Sequence, residues 1–71
     1  MKQYAVYKSP IDYPGKFVVR GFEIKNGQVI PEDNPSCVSD TLSEARKSIP
    51  ETFVNLGRAA DDDNYLLEVW I

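Results

Sequence analysis

The sequence predicts an α+β domain of order β-β-β-α-β: a four-stranded, mostly antiparallel sheet, strand order 3-2-1-4, with one helix packed on one face. Three observations carry this prediction. Four segments rich in β-branched and aromatic residues have the length and apolar patterning of strands. An Asn26-Gly27 pair separates two of them, and these two residues best tolerate the positive φ angles of a tight hairpin turn. A Thr41-x-x-Glu44 pattern opens the one helical stretch, as a capping box does.

The first strand is Gln3–Lys8, with Tyr4 and Val6 on one face and Ala5 and Tyr7 on the other. Ser9–Lys16 contains two prolines and a Pro-Gly pair, so it reads as a loop. Phe17–Lys25 is the second strand. Phe17, Val19, Gly21 and Glu23 share one face; Val18, Arg20, Phe22 and Ile24 share the other. Apolar residues on both faces place this strand centrally. Gly21 in its interior implies a bulge or a close approach by another element. Asn26-Gly27 turns the chain into Gln28-Val29-Ile30, and Pro31 ends that strand or marks it as an edge.

Glu32–Ser39 reads as a connection. A helix is expected from Leu42 to about Ile49, with Leu42, Ala45 and Ile49 facing the sheet. Pro50 biases Ile49 out of the helical region. It also suits the first position of a second helical turn, Pro50–Leu56, closed by Gly57. Arg58–Asn64 is a polar loop, and Tyr65–Ile71 is a final strand. There Tyr65, Leu67, Val69 and Ile71 form one face, while Leu66, Glu68 and Trp70 form the other, with Glu68 directed outward. Three hairpin-linked strands are antiparallel neighbours. The helix then returns the chain so that the last strand enters parallel to the first. One helix covers one face only, which leaves residues such as Tyr7, Phe22 or Trp70 partly exposed.

Composition narrows the function classes. The 71 residues are 42% hydrophobic and 27% charged, the balance of one folded domain. No apolar run approaches the roughly 18 residues of a membrane span, and no basic segment precedes an apolar one as in a secretory signal. The expectation is a cytoplasmic protein without membrane contact. The chain has no histidine and one cysteine, which removes imidazole chemistry and an internal disulfide. Net charge is −3, unevenly spread: residues 1–30 carry five cations against two anions, residues 31–71 three against nine. Such asymmetry can steer head-to-tail association or attract a basic partner.

No constellation points to catalysis. The glutamates Glu23, Glu44, Glu51 and Glu68 have no spacing that forces them together, and a fold this small rarely encloses a substrate. Cys37 lacks a base and a resolving thiol. The run Asp61-Asp62-Asp63-Asn64 lacks the alternation, glycine and terminal glutamate of a calcium loop. No cofactor, no metal and no enzymatic activity are expected. The expected role is a non-catalytic protein-interaction module or homodimer, using the uncovered sheet face or an edge near the last strand. Tyr65, Leu66 and Trp70 are candidate anchors because Trp and Tyr favour interfaces. Arg20 and Phe22 are candidates on the sheet face. With Lys25 they also define an alternative, a small nucleic-acid-binding surface, which the overall acidity disfavours.

The stretch Pro35-Ser36-Cys37-Val38-Ser39-Asp40-Thr41-Leu42-Ser43-Glu44-Ala45 resembles a segment of HicB-type antitoxin domains. Those carry a Pro-Gly-Cys-Val run before an Asp-Thr-Leu-x-Glu-Ala helix start; here Ser36 stands in place of the glycine. The resemblance implies a β-β-β-α-β fold and a second alternative role, neutralising a small basic enzyme through the acidic C-terminal half. Residues 18–24, 41–46, Ile49-Pro50 and 68–71 together are similar to small bacterial and phage proteins of unassigned function.

Overall fold

The computed structural model describes residues 1–58 and 64–71. The elements are β1 (Lys2–Lys8), β2 (Phe17–Lys25), β3 (Gln28–Pro31), β4 (Cys37–Ser39), α1 (Leu42–Lys47), β5 (Asn55–Gly57) and β6 (Leu66–Trp70). The α+β class and the antiparallel sheet are as the sequence predicts. The sheet has six strands rather than four, in the order β3-β2-β1-β6-β5, with β4 also paired to β2. The predicted core order 3-2-1-last is present inside it.

Two short strands account for the difference. β4 lies in the stretch read as a connection and pairs with Phe17–Val19 of β2, while β3 pairs with Phe22–Lys25. β3 and β4 thus form one interrupted arm along β2, and residues 32–36 loop out between them. Glu32 N–H to Gly21 O (3.0 Å) and Ser36 N–H to Val19 O (2.7 Å) fasten the two ends of that loop. β5 replaces the predicted second helical turn. Pro50 closes one reverse turn, with Phe53 N–H donating to its carbonyl at 3.1 Å, and the chain then extends. Because β5 carries the chain alongside the sheet, one further reversal follows it. β6 consequently enters antiparallel to β1, not parallel. It lies between β1 and β5, so it is not an edge.

Local signals explain the remaining boundaries. Asn26 and Gly27 have φ of 51° and 75°, the left-handed pair that a two-residue hairpin requires. Thr41 Oγ1 accepts from Glu44 N–H at 3.2 Å. The reciprocal bond to the Glu44 carboxylate is not formed, so the capping box is half realised. α1 stops at Lys47, two residues before the expected end. Ser48 caps it, donating from its hydroxyl to Ala45 O at 2.7 Å, and Pro50 forbids continuation. Gly21 is the close approach its position implied. A Cβ there would lie 2.0 Å from Glu32 Oε1, because the Lys2–Glu32 ion pair crosses over this residue.

Strand register sorts the side chains. Tyr4, Val6, Phe17, Val19, Gly21, Glu68 and Trp70 share the face under the helix. Val6, Val19, Ala45 and Ile49 are its buried centre, flanked by Leu42, Phe53 and Leu67. Phe53 closes one end edge-on to Tyr4, ring centroids 5.0 Å apart at 70°. A bulge between Val6 and Tyr7 shifts the β1–β6 register. It brings Leu67 to this side, against the strict alternation expected of the last strand. Among the described residues the buried apolar side chains are Pro10 and seven others, and the largest fully buried ones are three valines, Val6, Val18 and Val19. Each valine contributes about 1.5–3 kcal/mol by leaving water, so this core is small even for its chain length.

The uneven charge of the sequence is largely folded in. Lys2 and Lys16 from the basic segment pair with Glu32 and Asp40 from the acidic one, and Arg20 pairs with Asp12. Three of the five N-terminal cations therefore do not project a free field. Since the N-cap holds a helix of only six residues, Thr41→Ala is expected to lower unfolding free energy by about 1 kcal/mol. Urea denaturation would show this as a lower midpoint at unchanged slope.

Candidate functional site

The second sheet face has no helix over it. Register places Gln3, Ala5 and Tyr7 of β1 there, with Val18, Arg20, Phe22 and Ile24 of β2. Val29 and Pro31 of β3, Val38 of β4 and Val69 of β6 share it. Val54 and Ile71 exchange backbone hydrogen bonds at 2.7 and 3.0 Å and extend the β5–β6 ladder. Alternation puts their side chains on this same face.

One half of the face is roofed by the Ser9–Lys16 loop. Ser9 N–H donates to Lys16 O at 2.7 Å, closing the loop at its base, and Gly15 N–H donates to Ser9 Oγ at 2.9 Å. Pro10 is buried. Asp12 reaches down to the Arg20 guanidinium. Ala5, Val18 and Leu66 are buried on this side of the sheet. A shallow hollow of about 330 Å3 remains among Tyr7, Pro10, Ile11, Asp12, Arg20 and Tyr65. The other half is open. Phe22, Ile24 and Val69 are half-buried; Val29 is 58%, Val54 60% and Ile71 41% exposed. These side chains form two apolar groups, Phe22, Ile24 and Val29 on β2 and β3 and Val54, Val69 and Ile71 along β5 and β6, with the polar Gln3 of β1, in register with Phe22, between them. Arg20, already paired, is the one charged strand residue that register puts on this face among the described residues.

The helix side of β6 holds a different arrangement. Glu68 is directed inward, not outward, and is 5% exposed. Arg46 of α1 grips it with two parallel bonds, Nε to Oε1 and Nη2 to Oε2, both 2.9 Å. Asn55 Nδ2 donates to Oε2 at 2.9 Å and Trp70 Nε1 to Oε1 at 3.1 Å. The Arg46 bonds hold the Glu68 carboxyl below its ordinary value, burial pushes it up, and the Trp70 and Asn55 donors add to the lowering. The carboxylate is thus a structural clamp among α1, β5 and β6, with four donors on its two oxygens. Beside it, Leu42, Ile49, Pro50 and Trp70 line an open groove of about 570 Å3, with Arg46 and Lys47 at its rim.

The five candidate residues do not converge. Arg20 and Phe22 lie on the uncovered face. Tyr65 borders the hollow beside Arg20 and is 42% exposed. Leu66 is buried beneath that side of the sheet. Trp70 is on the helix-covered face, committed to Glu68 and to the core. Ile24, Val29, Val54, Val69 and Ile71 complete the open half. The alternation of the last strand already separated Val69 and Ile71 from Trp70, but nothing in the sequence showed which set the helix covers. Cys37 is half-buried against the core. No cluster of three metal-ligating side chains occurs among the described residues; the Asp61–Asp63 run lies outside them, with Asn64 inside. No helix among the described residues is long and apolar enough to cross a membrane.

Comparison with protein-family models, with curated proteins and with solved structures finds no match for this chain.

The clamp has a pH signature. Folding favours the ionised Glu68, so its stabilisation is complete above the ordinary carboxylate pKa of 4.5 and is lost as pH falls through the lower folded value. Glu68→Gln is expected to cost about 1–3 kcal/mol at pH 7. Its melting temperature should also fall less steeply than wild type between about pH 5 and 3. Parallel slopes in calorimetry would remove Glu68 as the titrating group.

Proposed function

We propose that this protein is a non-catalytic interaction module that binds a protein surface with the half of its sheet face left open by the helix and the Ser9–Lys16 loop. The observation that supports this reading is the pair of apolar groups on that half-face, Val29, Ile24 and Phe22 on one side of β1 and Val69, Ile71 and Val54 on the other. Clustered exposed apolar side chains of this kind mark a contact site. Phe22 supplies an aromatic anchor of the kind that dominates interface energetics. The half-face carries no free charge, so recognition rests on shape and desolvation more than on long-range attraction.

The geometry lends no support to a base-stacking surface. Arg20 is engaged by Asp12, and Lys25 falls on the other face by register with Gln28. Trp70, a candidate anchor by residue type, serves the clamp.

Capture experiments test the reading. The Ile24→Asp, Val29→Asp double variant should retain at least about tenfold less of any specific protein partner than wild type, the effect of losing an interface centre. Lys47→Ala on the helix-side groove should leave retention unchanged. Loss with Lys47→Ala and none with the face variant would move the binding site to the groove.

A further inference from the structure

We propose that Asn26 is a modification site, converted without an enzyme to aspartate and isoaspartate, and that opening of the β2–β3 hairpin sets its rate. The only co-reactant is water. The backbone nitrogen of Gly27 gives up its proton and attacks Cγ of Asn26. The bond from Cγ to the side-chain nitrogen breaks, and ammonia leaves with a proton in place of the one lost. The cyclic imide that remains takes up one water at either of its carbonyls. Opening on one side gives aspartate. Opening on the other gives isoaspartate, whose main chain runs through Cβ and Cγ. Nothing is oxidised or reduced, and the net exchange is water in and ammonia out.

The chain has four asparagines, and their surroundings separate them. Asn34 precedes Pro35, which has no N–H to lose. The Asn55 side chain is held at both ends: Nδ2 donates to Glu68 Oε2 at 2.9 Å, and Oδ1 accepts from Gly57 N–H at 2.8 Å. Asn64 precedes Tyr65, and a residue with a Cβ restricts approach to and from its own nitrogen in a way that glycine does not. Asn26 alone is followed by glycine. Asn26 and Gly27 are both exposed, and a Cβ built on Gly27 would meet nothing within 4 Å. Water and hydroxide therefore reach both reacting groups.

The hairpin holds the reaction back. Lys25 pairs with Gln28, so Asn26 and Gly27 are the whole of the turn. Their φ angles of 51° and 75° make it type I′. As the mirror image of type I, such a turn has ψ of about +30° at its first central residue. At that ψ the tetrahedral geometry of Cα turns Gly27 N away from the Asn26 side chain, whereas ring closure needs the two on the same side. Attack waits until the turn opens. Opening is a local event: β3 is an edge strand of four residues, all exposed, and such segments open at the low end of a protein's stability range. The product then acts back on the turn. Aspartate before glycine suits type I′. Isoaspartate adds a carbon to a main-chain connection whose length fixes the strand register. It releases β3 from Phe22–Lys25, while β4 keeps its own pairing with Phe17–Val19.

Peptide mapping by mass spectrometry tests this on the intact chain, aged in mildly alkaline buffer with and without denaturing urea. The expected result in buffer is conversion at Asn26 ahead of Asn55 and Asn64, with both aspartate and isoaspartate formed. Urea, which removes the turn, should raise the Asn26 rate at least about fivefold. Val29→Gly weakens β3 at an exposed position outside the core. It should raise the rate in buffer and leave the rate in urea unchanged. Conversion at Asn55 or Asn64 ahead of Asn26 overturns the site, as does an Asn26 still intact in buffer once the urea sample has fully converted. Equal rates with and without urea, or a Val29→Gly rate in buffer no higher than wild type, overturn the control by the hairpin.

Discussion

The Glu68 carboxylate is the constraint around which this small fold is arranged. A charge at 5% exposure is costly unless its hydrogen-bonding capacity is filled. Here it is filled from three directions, by Arg46 on α1, Asn55 on β5 and Trp70 on β6. That requirement fixes much else. α1 must cross the sheet where Arg46 can reach β6, β5 must follow the sheet closely enough for Asn55 to donate, and Trp70 must lie on the covered face. The apolar core of Val6, Val19, Ala45 and Ile49 supplies driving force but little direction, since small aliphatic side chains tolerate many packings. The clamp supplies the orientation that a core this small does not.

Committing the one tryptophan to the inside has a counterpart on the outside. The helix is six residues long and one face of a five-strand path is more than it needs to cover. The second face is divided instead: the β1–β2 loop roofs one half by burying Pro10 and anchoring Asp12 to Arg20, and the other half stays apolar and open. The division is abrupt, because the buried Val18 and the half-buried Phe22 and Ile24 occupy the same face of the same strand. Solubility of the free chain then depends on charges displayed elsewhere, on the helix, the rims and the hairpin end.

Legibility of the fold followed the locality of its causes. The Asn26-Gly27 hairpin, the Thr41 cap, the stop imposed by Pro50 and the close approach at Gly21 each rest on a few neighbouring residues, and each is visible in the sequence. The three-residue strands β4 and β5 are not. Cys37–Ser39 and Asn55–Gly57 have no strand pattern of their own and become strands because β2 and β6 offer them unpaired backbone. Missing β5 meant missing a chain reversal, which inverted the expected direction of β6. The outward reading of Glu68 failed for a related reason. Alternation correctly grouped Glu68 with Trp70, yet a carboxylate in a strand reads as solvent-facing until its donors, 22 and 13 residues away, are brought into view. Of the candidate surface, Arg20 and Phe22 could be found from strand alternation, whereas the placing of Val29 and Val54 on one face follows only once the strand order is known.

The position of β1 in the middle of the sheet has a consequence for synthesis. Its partners are β2, the next element along the chain, and β6, the last strand of the sheet. The first three strands can form a hairpin array as soon as they emerge from a ribosome, but that array lacks Glu68, Trp70 and one whole flank of β1. A lone meander of this kind is marginal in water, and contacts of long sequence separation carry the closure entropy that slows folding. The meander therefore stays unfinished until β6 has been made and docks beside β1, with the apolar residues of β2 short of their covering partners. Folding of this domain hinges on that long-range docking, and the interval before β6 joins β1 is its time of greatest exposure to aggregation and to proteases.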